Sequence, residues 1–232
     1  MDKAEFDQFA DEYYLQHKQN IAITGESPEY FAEYKIREVA RIATQQGVNV
    51  TKLLDFGSGV GNSIPYFRRF FPTADLTCAD VSQRSLDVSQ SRYPDAGNLV
   101  VIESDRVPVE DGSFDLAFSA CVFHHIPEAE HILWLRELGR ITAAGGMAVI
   151  FEHNPLNPLT VHAVNTCPFD VNAKLIRAHE LVRRLLDAGW TEPKIRYHVF
   201  FPRQLSYLRV LEPQLEWLPL GAQYCVAARK PH

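Results

Sequence analysis

The residues best suited to chemistry follow short apolar runs. Asp55 stands two residues before Gly57-Ser58-Gly59-Val60-Gly61, and Asp80 comes nineteen residues after Gly61. Ser104-Asp105-Arg106, Phe123-His124-His125-Ile126 and Glu152-His153-Asn154-Pro155 complete the set. Alternating glycines between a strand and a helix let the backbone approach a ligand closely, and the helix start offers N–H groups. A dinucleotide site expects its third glycine three residues after the second, whereas here it follows after two. Asp55 would repel a pyrophosphate and attract a cation.

The histidines offer proton transfer near neutral pH. Either His124 or His125 could act as a base, or the pair could simply orient its loop. Glu152-His153 ends an apolar strand, where a charged pair is hard to justify as packing. His153 is therefore the favoured base, with Glu152 as its orienting partner. His124, His125, Glu152 and His153 could in principle gather a metal, but no acid follows the fourth strand and no metal is expected. Cysteines 78, 121, 167 and 225 show no paired spacing, which argues against zinc or a disulfide framework. Cys78, Cys121 and Cys225 lie in apolar runs and read as core.

These groups need a scaffold that brings strand ends together. Strands are predicted at Lys52–Phe56, Leu76–Val81, Leu99–Glu103, Phe114–Cys121 and Met147–Phe151, with helices at Ser63–Phe71, Ser82–Arg92 and Pro127–Ile141. Such alternation argues an α/β fold, a parallel sheet with helices on both faces. A helix over Ala173–Ala188 and strands at Lys194–Phe201 and Gln223–Ala228 follow. Residues 1–47 read as amphipathic helices forming a lid over a domain at 48–232. The two Asn-Pro pairs at 154–158 predict an extended, turning loop.

A ligand carrying an ammonium and a sulfonium suits an acid beside a glycine loop, and S-adenosylmethionine (SAM) is such a ligand. Asp80 is placed to take two ribose hydroxyls; that position alone fits NAD equally well. Leu53–Gly61 (LLDFGSGVG), Leu76–Leu86 (LTCADVSQRSL), Glu103–Val107 (ESDRV), Gly112–Pro127 (GSFDLAFSACVFHHIP) and Leu135–Gly146 (LRELGRITAAGG) together resemble the class I SAM-dependent methyltransferases, in family order. The likeness covers residues 52–153 and is to the small-molecule branch with the ubiquinone/menaquinone-type enzymes. It implies a Rossmann-like seven-stranded sheet of order 3-2-1-4-5-7-6 with the last strand antiparallel. It also implies a SAM-binding half at 52–153, an acceptor-side half at 154–232, and S-adenosylhomocysteine (SAH) as product. The implied cofactor contacts are Asp55 near the methionine end, Gly57, Ser58, Gly59 and Gly61 against the ligand, Asp80 on ribose and Asp105 at the adenine. Val81, Ser104, Arg106, Ala120 and Tyr14 complete them.

The chain has 232 residues, 46% hydrophobic and 22% charged, which excludes disorder as the main state. No apolar run approaches the ~18 residues of a membrane span, and the acidic start lacks a secretory signal, so a cytoplasmic protein is expected. A net charge of −6 argues against nucleic acid as partner. Residues 174–210 nonetheless hold eight bases against three acids. Arg177, Arg183, Arg184, Arg196 and Arg203 would suit an anionic small-molecule acceptor if they face inward. His162, Asn165, Cys167 and Asp170 are further acceptor-side candidates. Methyl transfer to oxygen is the leading expectation, then to carbon or nitrogen. An NAD-dependent oxidoreductase and a catalytically silent SAM-fold partner protein are the alternatives.

Overall fold

The computed structural model describes residues 25–167 and 172–232. Its centre is a seven-stranded sheet ordered β3-β2-β1-β4-β5-β7-β6. The strands are β1 (Lys52–Phe56), β2 (Asp75–Asp80), β3 (Asn98–Val101), β4 (Phe114–Ala120), β5 (Thr142–His153), β6 (Thr191–His198) and β7 (Gln223–Arg229). β1 to β5 pair in parallel, and β7 runs antiparallel to both β5 and β6. This is the predicted Rossmann-like order.

The central strands are buried on both faces, which is why they read as almost unbroken apolar runs rather than as alternation. One face is covered by α4 (His131–Ile141) and α6 (Ala178–Asp187), whose Trp134, Leu135, Leu138, Leu181 and Leu185 pack with Phe56, Ile150 and Tyr224. The other is covered by α1 (Pro28–Gln45) and α2 (Ile64–Phe70), through Phe31, Ile36, Val39, Ile42 and Phe67 against Phe118 and Phe151. α3 (Gln83–Arg92) packs beside β2 and β3.

Several elements depart from the expected bounds. β5 begins at Thr142, not Met147: Thr142 pairs with Phe114 and the register then shifts before Leu116–Met147, so Gly145-Gly146 lie inside a bulged strand start. The helix expected from Pro127 opens instead with a short 3-10 turn at Glu128–Glu130, and α4 starts at His131. α6 starts at Ala178 because Arg177 is extended (φ −72°, ψ 142°). Asn157-Pro158 is not loop. Asn157 caps α5 (Pro158–Asn165), accepting from Leu159 N and Thr160 N at 3.1 Å each, and proline takes the first turn, where its missing N–H costs nothing.

Of the segment expected to form a lid, residues 28–45 are α1, with Ile36, Val39 and Ile42 fully buried against the sheet. Residues 1–24, and with them Tyr14, lie outside the described residues, as does Asp170. Among the described residues no helix is long and apolar enough to cross a membrane.

Candidate active site

The parallel strands point their carboxyl ends to one edge, and in such sheets ligands sit outside that edge. β1 delivers Asp55 and the glycine loop there. Gly57, Gly59 and Gly61 have φ of 75°, 53° and 77°, the left-handed region. A side chain at Gly57 would meet Val122 Cγ2 at 2.4 Å, whereas one at Gly59 would meet open space. Gly59 is therefore the open side of the loop. Its backbone N–H groups are mostly committed: Gly57 and Ser58 donate to Ala79 O at 2.8 and 3.1 Å, and Gly61 to Ser58 O at 3.1 Å. The loop thus offers close approach and flanking carboxylates rather than the free N–H groups expected from sequence.

Asp55 is buried, and its Oδ2 has no hydrogen-bond partner; Ser58 Oγ in the loop is likewise buried and unpaired. Burial first, and then the charge of Asp80, push the Asp55 carboxyl up to about 8, against a smaller opposing pull from Lys35. A buried carboxylate without a partner is costly unless something completes it. Asp80 ends β2 and accepts from Gly59 N at 2.8 Å and Ser82 N at 2.9 Å, which fixes its carboxylate at the mouth of the loop. Val81 follows Asp80, half-buried. Ser104, Asp105 and Arg106 lie after β3 in an exposed turn closed by reciprocal Glu103–Arg106 backbone bonds, with Ser104 left-handed at φ 55°. Ala120 is the last residue of β4. These residues fit a cationic nucleoside: acids flank the loop, and an unfilled acceptor lies under it.

Further along the edge the side chains combine differently from the expectation. Glu152 does not orient His153. Neighbours on a strand point to opposite faces, and Glu152 turns toward the loop after β4. There Oε1 accepts from Phe123 N at 2.8 Å and Val122 N at 3.2 Å, and Oε2 meets His124 Nδ1 at 2.6 Å. Burial alone would raise this carboxyl; the charge and hydrogen bond of His124, with help from the backbone donor, hold it below the ordinary carboxylate range. The carboxylate is committed to these protein donors. His125 is half-buried with its ring 4.2 Å from that of His124, and the His153 ring lies 5.3 Å from His124.

His153 is half-buried and faces Cys121. Two groups that the sequence reading did not single out join it. Lys35 of α1 reaches Cys121 Sγ with Nζ at 3.6 Å, and Gln223 of β7 lies 4.0 Å from the same sulfur. Tyr34 Oη donates to Gln223 Oε1. Cys121 is not core: it is half-buried, with φ 59°. The only hint was its place right after a strand that leads into a histidine loop.

The basic excess is spent elsewhere. Arg184 bonds Glu180 at 2.5 Å and Glu128 at 2.7 Å, Arg196 meets Glu216 at 3.5 Å, Arg203 donates to Gly25 O at 3.2 Å, and Arg177 and Arg183 are exposed. His162 and Asn165 are exposed on α5, and Cys167 is buried. Among the described residues Glu38, His198 and Glu216 stand close enough to share an ion, yet Arg41 holds both carboxylates.

Parts of the sequence and the fold are shared with known proteins. The sequence profile of the methyltransferase-domain family matches residues 54–150. A demethylmenaquinone methyltransferase of Thermotoga maritima is 31% identical over 110 residues, 47% of this chain and 47% of that protein. One of Staphylococcus aureus is 29% identical over 126 residues, 53% and 51% of the two chains. The chain thus spans about half the length of the curated relatives it matches. A solved SAM-dependent methyltransferase of Thermotoga maritima superposes with a TM-score of 0.69 at 18% identity, covering 98% of this chain and 99% of that one. The phosphoethanolamine N-methyltransferase 2 of Haemonchus contortus, solved with SAM, gives 0.60 at 17% identity over 87% and 56%. Residues 54–150 are thus similar to the methyltransferase-domain family, and the whole chain shares the fold of a solved SAM-dependent methyltransferase.

Proposed function

We propose that the protein transfers a methyl group from SAM to a small-molecule acceptor, with an oxygen as the favoured acceptor atom. The observation that carries this reading is the buried, unpartnered Asp55 Oδ2 beneath a loop that opens at Gly59. An acid in that position takes a positively charged ligand and rejects a pyrophosphate, which disfavours the oxidoreductase alternative.

When bound, SAM supplies an already activated methyl group on a sulfonium. The chain's own work is to hold and align. Asp55 offers charge to the cationic end, Asp80 receives ribose hydroxyls, and the turn at Ser104-Asp105-Arg106 borders the adenine. Glu152 and His124 fix the loop after β4 as positioning residues. His153, at the end of β5 beside Cys121, takes a proton from the acceptor where one must leave. The acceptor approaches over the ends of β4, β5 and β7. With the arginines of 174–210 engaged or outward, they give no support to an anionic acceptor.

Isothermal calorimetry with SAH and NADH tests the reading: SAH binds and NADH does not. Asp80→Ala lowers SAH affinity at least about tenfold, ~1.4 kcal/mol. NADH binding without SAH binding would reverse the assignment.

A further inference from the structure

The cluster of Lys35, Cys121 and His153 has chemistry that alignment of a methyl acceptor does not require. Cys121 follows β4 with φ 59°, a conformation that costs a non-glycine residue free energy and is found where the surroundings enforce it. The enforcement is visible. Its N–H donates to Phe151 O at 2.8 Å, and its sulfur is bracketed by Lys35 Nζ at 3.6 Å and Gln223 Nε2 at 4.0 Å.

Among the described residues this sulfur is the only hydrogen-bond acceptor of Lys35, which also couples through charge to the unpaired Asp55. The titratable groups facing the thiol are Lys35 and Tyr34 from α1, and Glu152 and His153 from β5; Gln223 of β7 is neutral. Burial raises the thiol and Glu152 adds to that. His153, by charge and hydrogen bond, and Lys35 overcome both and bring it down to about 7. The other cysteines differ. Cys78 and Cys225 are fully buried, with thiols that burial pushes up, to about 12 at Cys225, and Cys167 is also buried.

We propose that Cys121 is a nucleophilic modification site for soft carbon electrophiles, its thiolate stabilised by Lys35 and His153. With iodoacetamide the thiol first gives its proton to solvent. The sulfur then forms the C–S bond as the C–I bond breaks, and iodide leaves with the bonding pair. An adduct there stands where α1 meets the ends of β4, β5 and β7. Its obstruction of the acceptor's approach rests on the proposed function; its formation does not.

The experiment is pH-dependent labelling of the full chain with iodoacetamide, with each cysteine followed by peptide mass spectrometry. At pH 7 Cys121 labels at least about tenfold faster than Cys78, Cys167 or Cys225, and its rate has a midpoint near 7 rather than at the ordinary thiol value of about 8.5. Lys35→Met and His153→Ala each move that midpoint upward. Labelling of Cys121 no faster than Cys167, or a parent midpoint in the ordinary thiol range, overturns the proposal whether or not the variants fold. Folded variants with unchanged midpoints overturn the roles of Lys35 and His153. SAH titration of the same samples separates the two ideas: a chain that does not bind SAH refutes the methyltransferase reading while the labelling result stands.

Discussion

In the proposed function Asp55 meets the charge of the ligand, and its elevated carboxyl makes that role measurable. With the group raised to about 8, the ligand-free protein holds it protonated at pH 7. A cationic ligand favours the ionised form, so binding releases a proton and tightens as pH rises from 6 to 8, by up to about tenfold per pH unit. Calorimetry of SAH in two buffers of different ionisation enthalpy reads that proton, and Asp55→Asn abolishes the release. His153 is expected to separate chemistry from binding. His153→Ala lowers methyl transfer by about 100-fold or more for an acceptor that the parent methylates, while SAH affinity stays within about twofold. Equal rates would remove it as the base. The placement of Asp55, Asp80 and the glycines at one edge of the sheet was legible because it depends on position along the chain. Lys35 and Gln223 were not. They reach Cys121 across 86 and 102 residues of sequence, and nothing in a helical lysine or a strand glutamine announces such a convergence.

At the scale of elements, the loop after β4 is built on one carboxylate. Glu152 receives two backbone N–H groups and an imidazole, all buried. Glu152→Ala leaves these donors unpaired and is expected to cost about 3–5 kcal/mol, a fall in melting temperature of roughly 10 °C for a chain of this size. Glu152→Gln, which keeps an acceptor for the N–H groups, costs less. A thermal melt of the three proteins distinguishes this from a purely catalytic role, which would leave the melting temperature unmoved. The strands were legible in type because β-rich apolar runs alternate with helical stretches. Their ends were less so: the bulge that lets β5 start at Thr142 and the extended Arg177 ahead of α6 are set by pairing and packing across the molecule.

For the whole molecule, α1 is part of the core. Phe31, Tyr34, Ile36 and Val39 lie in the core on one face of the sheet, and Tyr34 bonds Gln223 at the start of β7. Deleting residues 1–35 therefore removes Phe31, Tyr34 and Lys35 together. The expected outcome is loss of activity and of a cooperative thermal transition, seen by circular dichroism. A truncated protein that melts like the parent would show that the helix is a detachable cover. The seven-strand order followed from family resemblance and from the two tail strands. The depth to which the segment before β1 is built into the core could not be read from its amphipathic pattern, since lid and packing helices share that pattern.

The reversed direction of β7 has an evolutionary corollary. Because β6 climbs and β7 descends, residues 199–222 hang from the same rim as His153. Tyr207, Val210 and Trp217 in that excursion are exposed, with little packing to constrain replacement. Replacements in this excursion thus reshape the rim beside His153 while the pairing of β1 with β2 and β4, which carries the glycine loop, is left unaltered.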